Sequence, residues 1–193
     1  ELSSRISATI VDLEKESLDW ARSSHKEFPP SDGVGDLQTL QGDLRAAVLS
    51  SGRHWIDIDP YGSPAPFVDS AMQSMARSGV MEVSATDTAA LTGSSKTALM
   101  RRYGARVRTD CLAHDSGMRV MLSCISRIAA RHDRAIEPLL SVWDSHHLRV
   151  SFRVVKSVST ANELEERIGW RVFSPRKEEV AASIASGLSL IHI

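Results

Sequence analysis

Two cysteines in 193 residues, Cys111 and Cys124, exclude a disulfide-built scaffold, and neither has a second Cys or a His at metal-ligand spacing. Free thiols in a reducing cytoplasm, or in a nucleus if the source is eukaryotic, are the expectation. No apolar run approaches the length of a membrane span. A formal net charge of -1 excludes a uniformly basic coat for nucleic acid, leaving only a local patch. No glycine fingerprint of the dinucleotide-binding type is present, which removes the main support for a nicotinamide oxidoreductase. Glu1 opens the chain with no basic-plus-apolar leader behind it, so no signal peptide is expected within it.

What is present is the balance of a globular domain: 42% hydrophobic and 24% charged residues. "ISATIVD" is a β-branched run ending on Asp12, and "LEKESLDWARSSHKEF" behind it sets Leu13, Leu18, Trp20 and Ala21 among charges, a strand followed by a helix. A loop rich in Gly, Pro and Asp over 29–36 leads to "LQTLQGDL" and a short helical stretch through "RAAVLSS". "HWIDID" predicts a strand. "FVDSAMQSMARSG" predicts a helix with Phe67, Val68, Ala71, Met72 and Met75 on one face and Gly79 at its stop. "VMEVSATD" is another strand ending on an acid. Residues 118–129 carry Met118, Met121, Leu122, Ile125, Ile128 and Ala129 at helical spacing, with Arg119, Ser123, Ser126 and Arg127 opposite. "HLRVSFRVV" alternates strictly, which predicts an antiparallel or edge strand with one wet face. Strands alternating with helices indicate an α/β fold with an open, mostly parallel sheet and an antiparallel closing strand. From Lys156 the character changes to a linker and the start of a second unit, giving domains 1–155 and 156–193; the apolar tail "ASGLSLIHI" is left unexplained.

Acids recur at the predicted strand ends: Asp12, Asp43, Asp57 or Asp59, and Asp87. Ligands of doubly wound sheets sit at the carboxyl ends of the strands, where an acid takes ribose hydroxyls and a later one accepts from an adenine amine. Each Asp is equally suited to capping the helix that follows. "WIDIDPYGSPAPF" tips this balance, because a single turn has no need of Asp57, Asp59, Pro60, Tyr61 and two further prolines together. A carboxylate or a proline-fixed carbonyl holds an exocyclic amine by its hydrogens, and a neighbouring aromatic stacks on the base.

Six blocks in order, "DIDPYGSPAPFVDSAMQ", "SATDTAALTG", "RRYGA", "HDSGMRVML", "RIAARHDRAIEPLLS" and "LRVSFRV", resemble the tRNA guanine-26 N2-dimethyltransferases of archaea and eukaryotes, over about residues 6–173. The resemblance implies a Rossmann-like class I methyltransferase sheet using S-adenosyl-L-methionine, with the start of a C-terminal tRNA-binding domain from residue 156. It implies that Asp12 binds the ribose hydroxyls and Asp43, with the Leu44 backbone, the adenine; Asp57 borders that side and orients the loop. Asp59 would hold the guanine amine, Pro60 shape its pocket, and Tyr61 stand beside the base. Arg101, Arg102, Arg106 and Arg108 would meet tRNA phosphates. No metal is implied, and His146 and His147, adjacent on a strand, point to opposite faces. His114 and Asp115 stand where the family has a His-Glu pair and are read as structural, with Arg119 following on the helix. The family's glycine-rich loop would precede Glu1, so truncation at both ends is expected. Two alternatives remain: another amino-group methyltransferase on nucleic acid or protein, and a tRNA-binding remnant without chemistry.

Overall fold

In a computed structural model the chain is described over residues 6–29, 34–49 and 52–169. The "GWRVFSP" segment beyond its first residue, the tail "ASGLSLIHI" and part of the 29–36 loop lie outside them. The chain divides into two compact units, Glu1–Ser51 and Gly52–Ile193.

In the first unit, strand β1 (Ile6–Asp12) and strand β2 (Val34–Gln41) pair in parallel, connected through helix α1 (Lys15–Glu27). The strand begins at Val34, so the end of the predicted loop is extended and paired. Leu18 is the side chain that α1 buries, whereas Trp20 stays 75% exposed. Helix α2 (Leu44–Val48) follows, and it buries Val48.

The second unit is built on a four-stranded sheet in the order β3-β4-β6-β5, from β3 (Arg53–Ile58), β4 (Met75–Ala85), β5 (Arg134–Asp144) and β6 (His147–Lys156). β3 and β4 run parallel; β6 is antiparallel to both of its neighbours. The alternation of β6 is realised as expected: Leu148, Val150, Phe152 and Val154 are all fully buried. They meet Ala85, Val83, Met81 and Gly79 across the β4 ladder, so one face of the sheet is a continuous apolar layer. Each large side chain there contributes on the order of 1.5–3 kcal/mol. The closing strand therefore sits inside the sheet, and β5 forms the edge. Pro138 on that edge adjoins a register shift, the place where a proline's missing donor costs no ladder bond.

Helix α6 (Ala113–Arg131) covers the apolar layer with Val120, Met121, Leu122, Ile125 and Ala129. Ser123, expected on its wet face, is buried, and its hydroxyl accepts from Arg127 Nη1 at 3.4 Å. Helix α3 (Ala65–Ser74) is shorter than its apolar period suggests. Met75 turns extended at φ -58°, ψ 143°, and the Arg134 guanidinium donates to Ala76 O at 2.6 Å and also to Met75 O. Gly79 is consequently no helix stop. It lies in β4 beside a bulge that places Trp55 opposite Val80 and Arg53 opposite Met75. Short helices α4 (Thr88–Leu91) and α5 (Lys96–Tyr103) follow β4, and α7 (Val158–Asn162) and α8 (Leu164–Arg167) follow β6. No helix among the described residues is long and apolar enough to cross a membrane.

Candidate active site

The alternation that buries Ile56 and Ile58 sends Asp57 to the opposite face of β3. There its carboxylate receives Arg149 Nη2 at 2.7 Å, and the same guanidinium binds Glu82 through Nε at 2.9 Å and Ser84 Oγ at 3.0 Å. Arg149 thus ties three neighbouring strands immediately before the acidic motif.

Asp59 follows the last residue of β3. It is exposed, and no hydrogen bond or ion pair joins its carboxylate to another described residue. Pro60 is half-buried, Tyr61 is fully exposed and Pro64 is buried. An anion and a bare aromatic ring two residues apart, on a segment pinned at its far end, form a surface able to receive a flat polar group.

The loop is tied to the end of β4. Gly62 N donates to Thr86 Oγ1 at 2.7 Å, and Thr86 N donates back to Gly62 O at 3.0 Å. Gly62 adopts φ 81°, a left-handed conformation that glycine enters without strain. Next in sequence, Asp87 occupies the N-cap position of α4, yet its side chain does not cap the helix. Its carboxylate, with the side chain 7% exposed, accepts from Tyr103 Oη at 2.7 Å and Arg102 Nη1 at 2.9 Å. Burial pushes the Tyr103 hydroxyl well above the ordinary phenol value. The capping role open to Asp87 from sequence is therefore not the one it performs.

In the first unit, Asp12 is the last residue of β1 and Asp43 follows the end of its parallel neighbour β2, with Gly42 N donating to Asp12 O at 2.9 Å. One oxygen of Asp12 accepts from Glu14 N at 2.8 Å. Asp43 caps α2 by accepting from Arg45 N at 2.8 Å, and hydrogen bonding to the Arg45 side chain holds its carboxyl down to about 2. The Leu44 amide, the first of α2, has no acceptor within the helix.

The remaining polar residues are placed more plainly. Arg101 and Arg106 are exposed; Arg102 is committed to Asp87, and Arg108 is exposed with an interaction of its own. Asp115 pairs with Arg119 one turn along α6 at 2.8 Å, and His114 stacks on Trp143 with ring centroids 4.5 Å apart. His146 lies in the β5–β6 turn, and the described residues contain no group of three or more metal-ligating side chains. Cys111 is exposed and Cys124 half-buried, both as free thiols.

Thr86, Tyr103 and Arg149 were not apparent as site residues. "RRYGA" drew attention through its arginines; the glycine closing α5 at φ 64° is the signal that fixes a helix end there and turns Tyr103 inward.

Residues 33–184 match the family model described as N2,N2-dimethylguanosine tRNA methyltransferase. The chain belongs to this family. Among curated N2,N2-dimethylguanosine tRNA methyltransferase relatives, the tRNA (guanine(26)-N(2))-dimethyltransferase of Thermoplasma volcanium is 43% identical over 116 residues, covering 60% of this chain and 34% of its own length. That of Archaeoglobus fulgidus is 38% identical over 137 residues, covering 70% and 38%. This family member thus spans between a third and two fifths of these relatives. Of solved structures, Trm1 from Pyrococcus horikoshii in complex with S-adenosyl-L-methionine superposes with a TM-score of 0.78 at 26% identity, covering 87% of this chain and 49% of that one. The fold is therefore the Rossmann-like methyltransferase sheet expected for the family, with its antiparallel strand between β4 and β5.

Proposed function

We propose that this chain carries the amine-holding part of a methyltransferase that uses S-adenosyl-L-methionine to methylate the exocyclic N2 amine of guanine 26 in tRNA, once and then again. The observation that carries the reading is the unengaged Asp59 carboxylate at the end of β3, beside the exposed ring of Tyr61. An aniline-like amine is a poor nucleophile because its lone pair is delocalised into the ring. Asp59 accepts one N2–H, orients the nitrogen and favours its pyramidal geometry; Tyr61 stacks on the base and Pro60 restricts the loop. When bound, S-adenosyl-L-methionine supplies an electrophilic methyl group on a sulfonium. Asp59 then lies in reach of the proton that the nitrogen loses after the N–C bond has formed. Positioning of this kind accounts for most of the rate gain in a direct displacement.

The donor set of the first unit fits the cofactor. Asp12 keeps one carboxylate oxygen for ribose hydroxyls, the Leu44 amide is a free donor for an adenine nitrogen, and anionic Asp43 offers remaining lone pairs to the adenine amine. Asp57 acts behind the loop through Arg149. Arg101 and Arg106, with Arg102 and Arg108 beside them, form the tRNA phosphate contact, and 156–193 begin the domain that grips the tRNA. Two free thiols suit a reducing compartment, the cytoplasm or a eukaryotic nucleus.

The test is transfer of labelled methyl groups to tRNA transcripts carrying guanosine, inosine or adenosine at position 26. Label on the guanosine transcript alone is expected, since inosine lacks only the N2 amine. Equal labelling of the inosine transcript would remove the assignment.

A further inference from the structure

The Asp59 loop has an anchor outside itself, on the backbone of Gly62. Thr86 exchanges two hydrogen bonds with Gly62, and its neighbour Asp87 is held by the Tyr103 hydroxyl, which donates to it at 2.7 Å. Asp87 in turn is neutralised by Arg102 and gives up capping its own helix, so a buried carboxylate is devoted to orienting one tyrosine. By contrast, Asp59, Pro60 and Tyr61 make no side-chain hydrogen bond or ion pair with any described residue. Their placement is inherited from what holds the next residue, Gly62.

We propose that Thr86 is a positioning residue, with Tyr103 a second one acting through Asp87 beside it: together they clamp Gly62 to the end of β4 and thereby set where Asp59 and Tyr61 present themselves to the substrate base. The inference rests on the methyl-transfer reading above. A loop released from Thr86 keeps all its chemical groups and loses only their placement. That lowers turnover without weakening cofactor binding, because Thr86 and Tyr103 belong to neither Asp12 nor the α2 end. Thr86→Val keeps the shape and removes the acceptor for the Gly62 amide; Thr86→Ser restores it. Tyr103→Phe removes the donor that holds Asp87 beside Thr86.

The experiment measures kcat and KM with the guanosine-26 transcript, S-adenosyl-L-methionine affinity, and hydrogen exchange at the Gly62 amide, for wild type, the three variants and the Thr86→Val/Tyr103→Phe pair. Thr86→Val is expected to lower kcat by about tenfold to a hundredfold with cofactor affinity unchanged, Thr86→Ser to recover most of it, and Gly62 exchange to accelerate in Thr86→Val and in the pair but not in Thr86→Ser or Tyr103→Phe. Tyr103→Phe is expected to lower kcat by a smaller factor, and the pair by more than either variant. A Thr86→Val variant with wild-type kcat overturns the proposal, whether or not Gly62 exchanges faster. So does a lowered kcat with unchanged Gly62 exchange, which places the effect elsewhere. Should Thr86→Val fail to fold, Tyr103→Phe carries the kcat comparison by itself. A wild-type protein that binds cofactor yet methylates nothing refutes the proposed function, and the exchange comparison then judges the clamp separately.

Discussion

Gly79→Ala discriminates sharply between two readings of one residue. A Cβ built on Gly79 would stand 2.4 Å from the His54 carbonyl oxygen, 3.0 Å from its carbon and 2.6 Å from the Met75 methyl. The methionine end can swing away. The carbonyl cannot, because His54 lies in β3 between residues paired to β4 on either side of the bulge. Reaching an ordinary carbon–oxygen separation requires the strands to move apart locally by about 1 Å, a forced insertion of the kind that costs about 1–3 kcal/mol and sometimes more. At this chain length that is a fall in melting temperature of roughly 2–4 °C per kcal/mol, so between a few degrees and about 12 °C. Gly62→Ala supplies the control, since its Cβ meets nothing within 4 Å and only the left-handed backbone opposes it, at about 1–2 kcal/mol. Urea unfolding of both variants beside wild type gives the comparison. If Gly79→Ala lies within about 0.5 kcal/mol of wild type, the close strand approach at the bulge is wrong.

Arg134→Met should destabilise the second unit by about 2–4 kcal/mol, because Met75 O and Ala76 O lose their donor while the side chain's apolar stem is retained; equilibrium unfolding measures it. Tyr103 has a hydroxyl whose folded-state pKa is raised by burial, so its contribution to stability is whole below about pH 10 and drains away as pH rises beyond that. Melting curves from pH 8 to 11 should therefore fall less steeply above pH 10 in Tyr103→Phe than in wild type. Arg101→Ala with Arg106→Ala should weaken tRNA binding and make log K depend less steeply on log salt, by about one unit for each phosphate that is no longer neutralised, leaving the melting temperature unchanged.

Features decided within a short stretch were legible in the sequence, and features decided by a distant partner were not. The alternation of β6 was readable because one of its faces is wholly covered. The apolar period of α3 continues into Met75 unbroken, and what ends the helix is Arg134, 59 residues away from the carbonyl it binds. β5 was hard to read because it is an edge strand, with Pro138 inside it and Leu140 exposed. The density of acid, proline and aromatic at 57–66 marked the candidate site directly. Its clamp was hidden, since Thr86 meets Gly62 across 24 residues and Asp87 sits where a helix cap is the simpler expectation. For Asp43 both readings hold at once: it caps α2 and still follows the end of a strand beside Asp12.

The central claim is that the Asp59 carboxylate holds the amine that is methylated. Asp59→Asn preserves shape and removes the charge, and because no described residue pairs with Asp59 the fold has nothing to lose by it. Single-turnover methylation of the guanosine-26 transcript by wild type and Asp59→Asn, with cofactor binding and melting followed in parallel, measures this most directly. A fall of about a hundredfold or more in the methylation rate, with cofactor affinity and melting temperature unchanged, is the expected result. An Asp59→Asn variant that methylates at the wild-type rate would contradict the account.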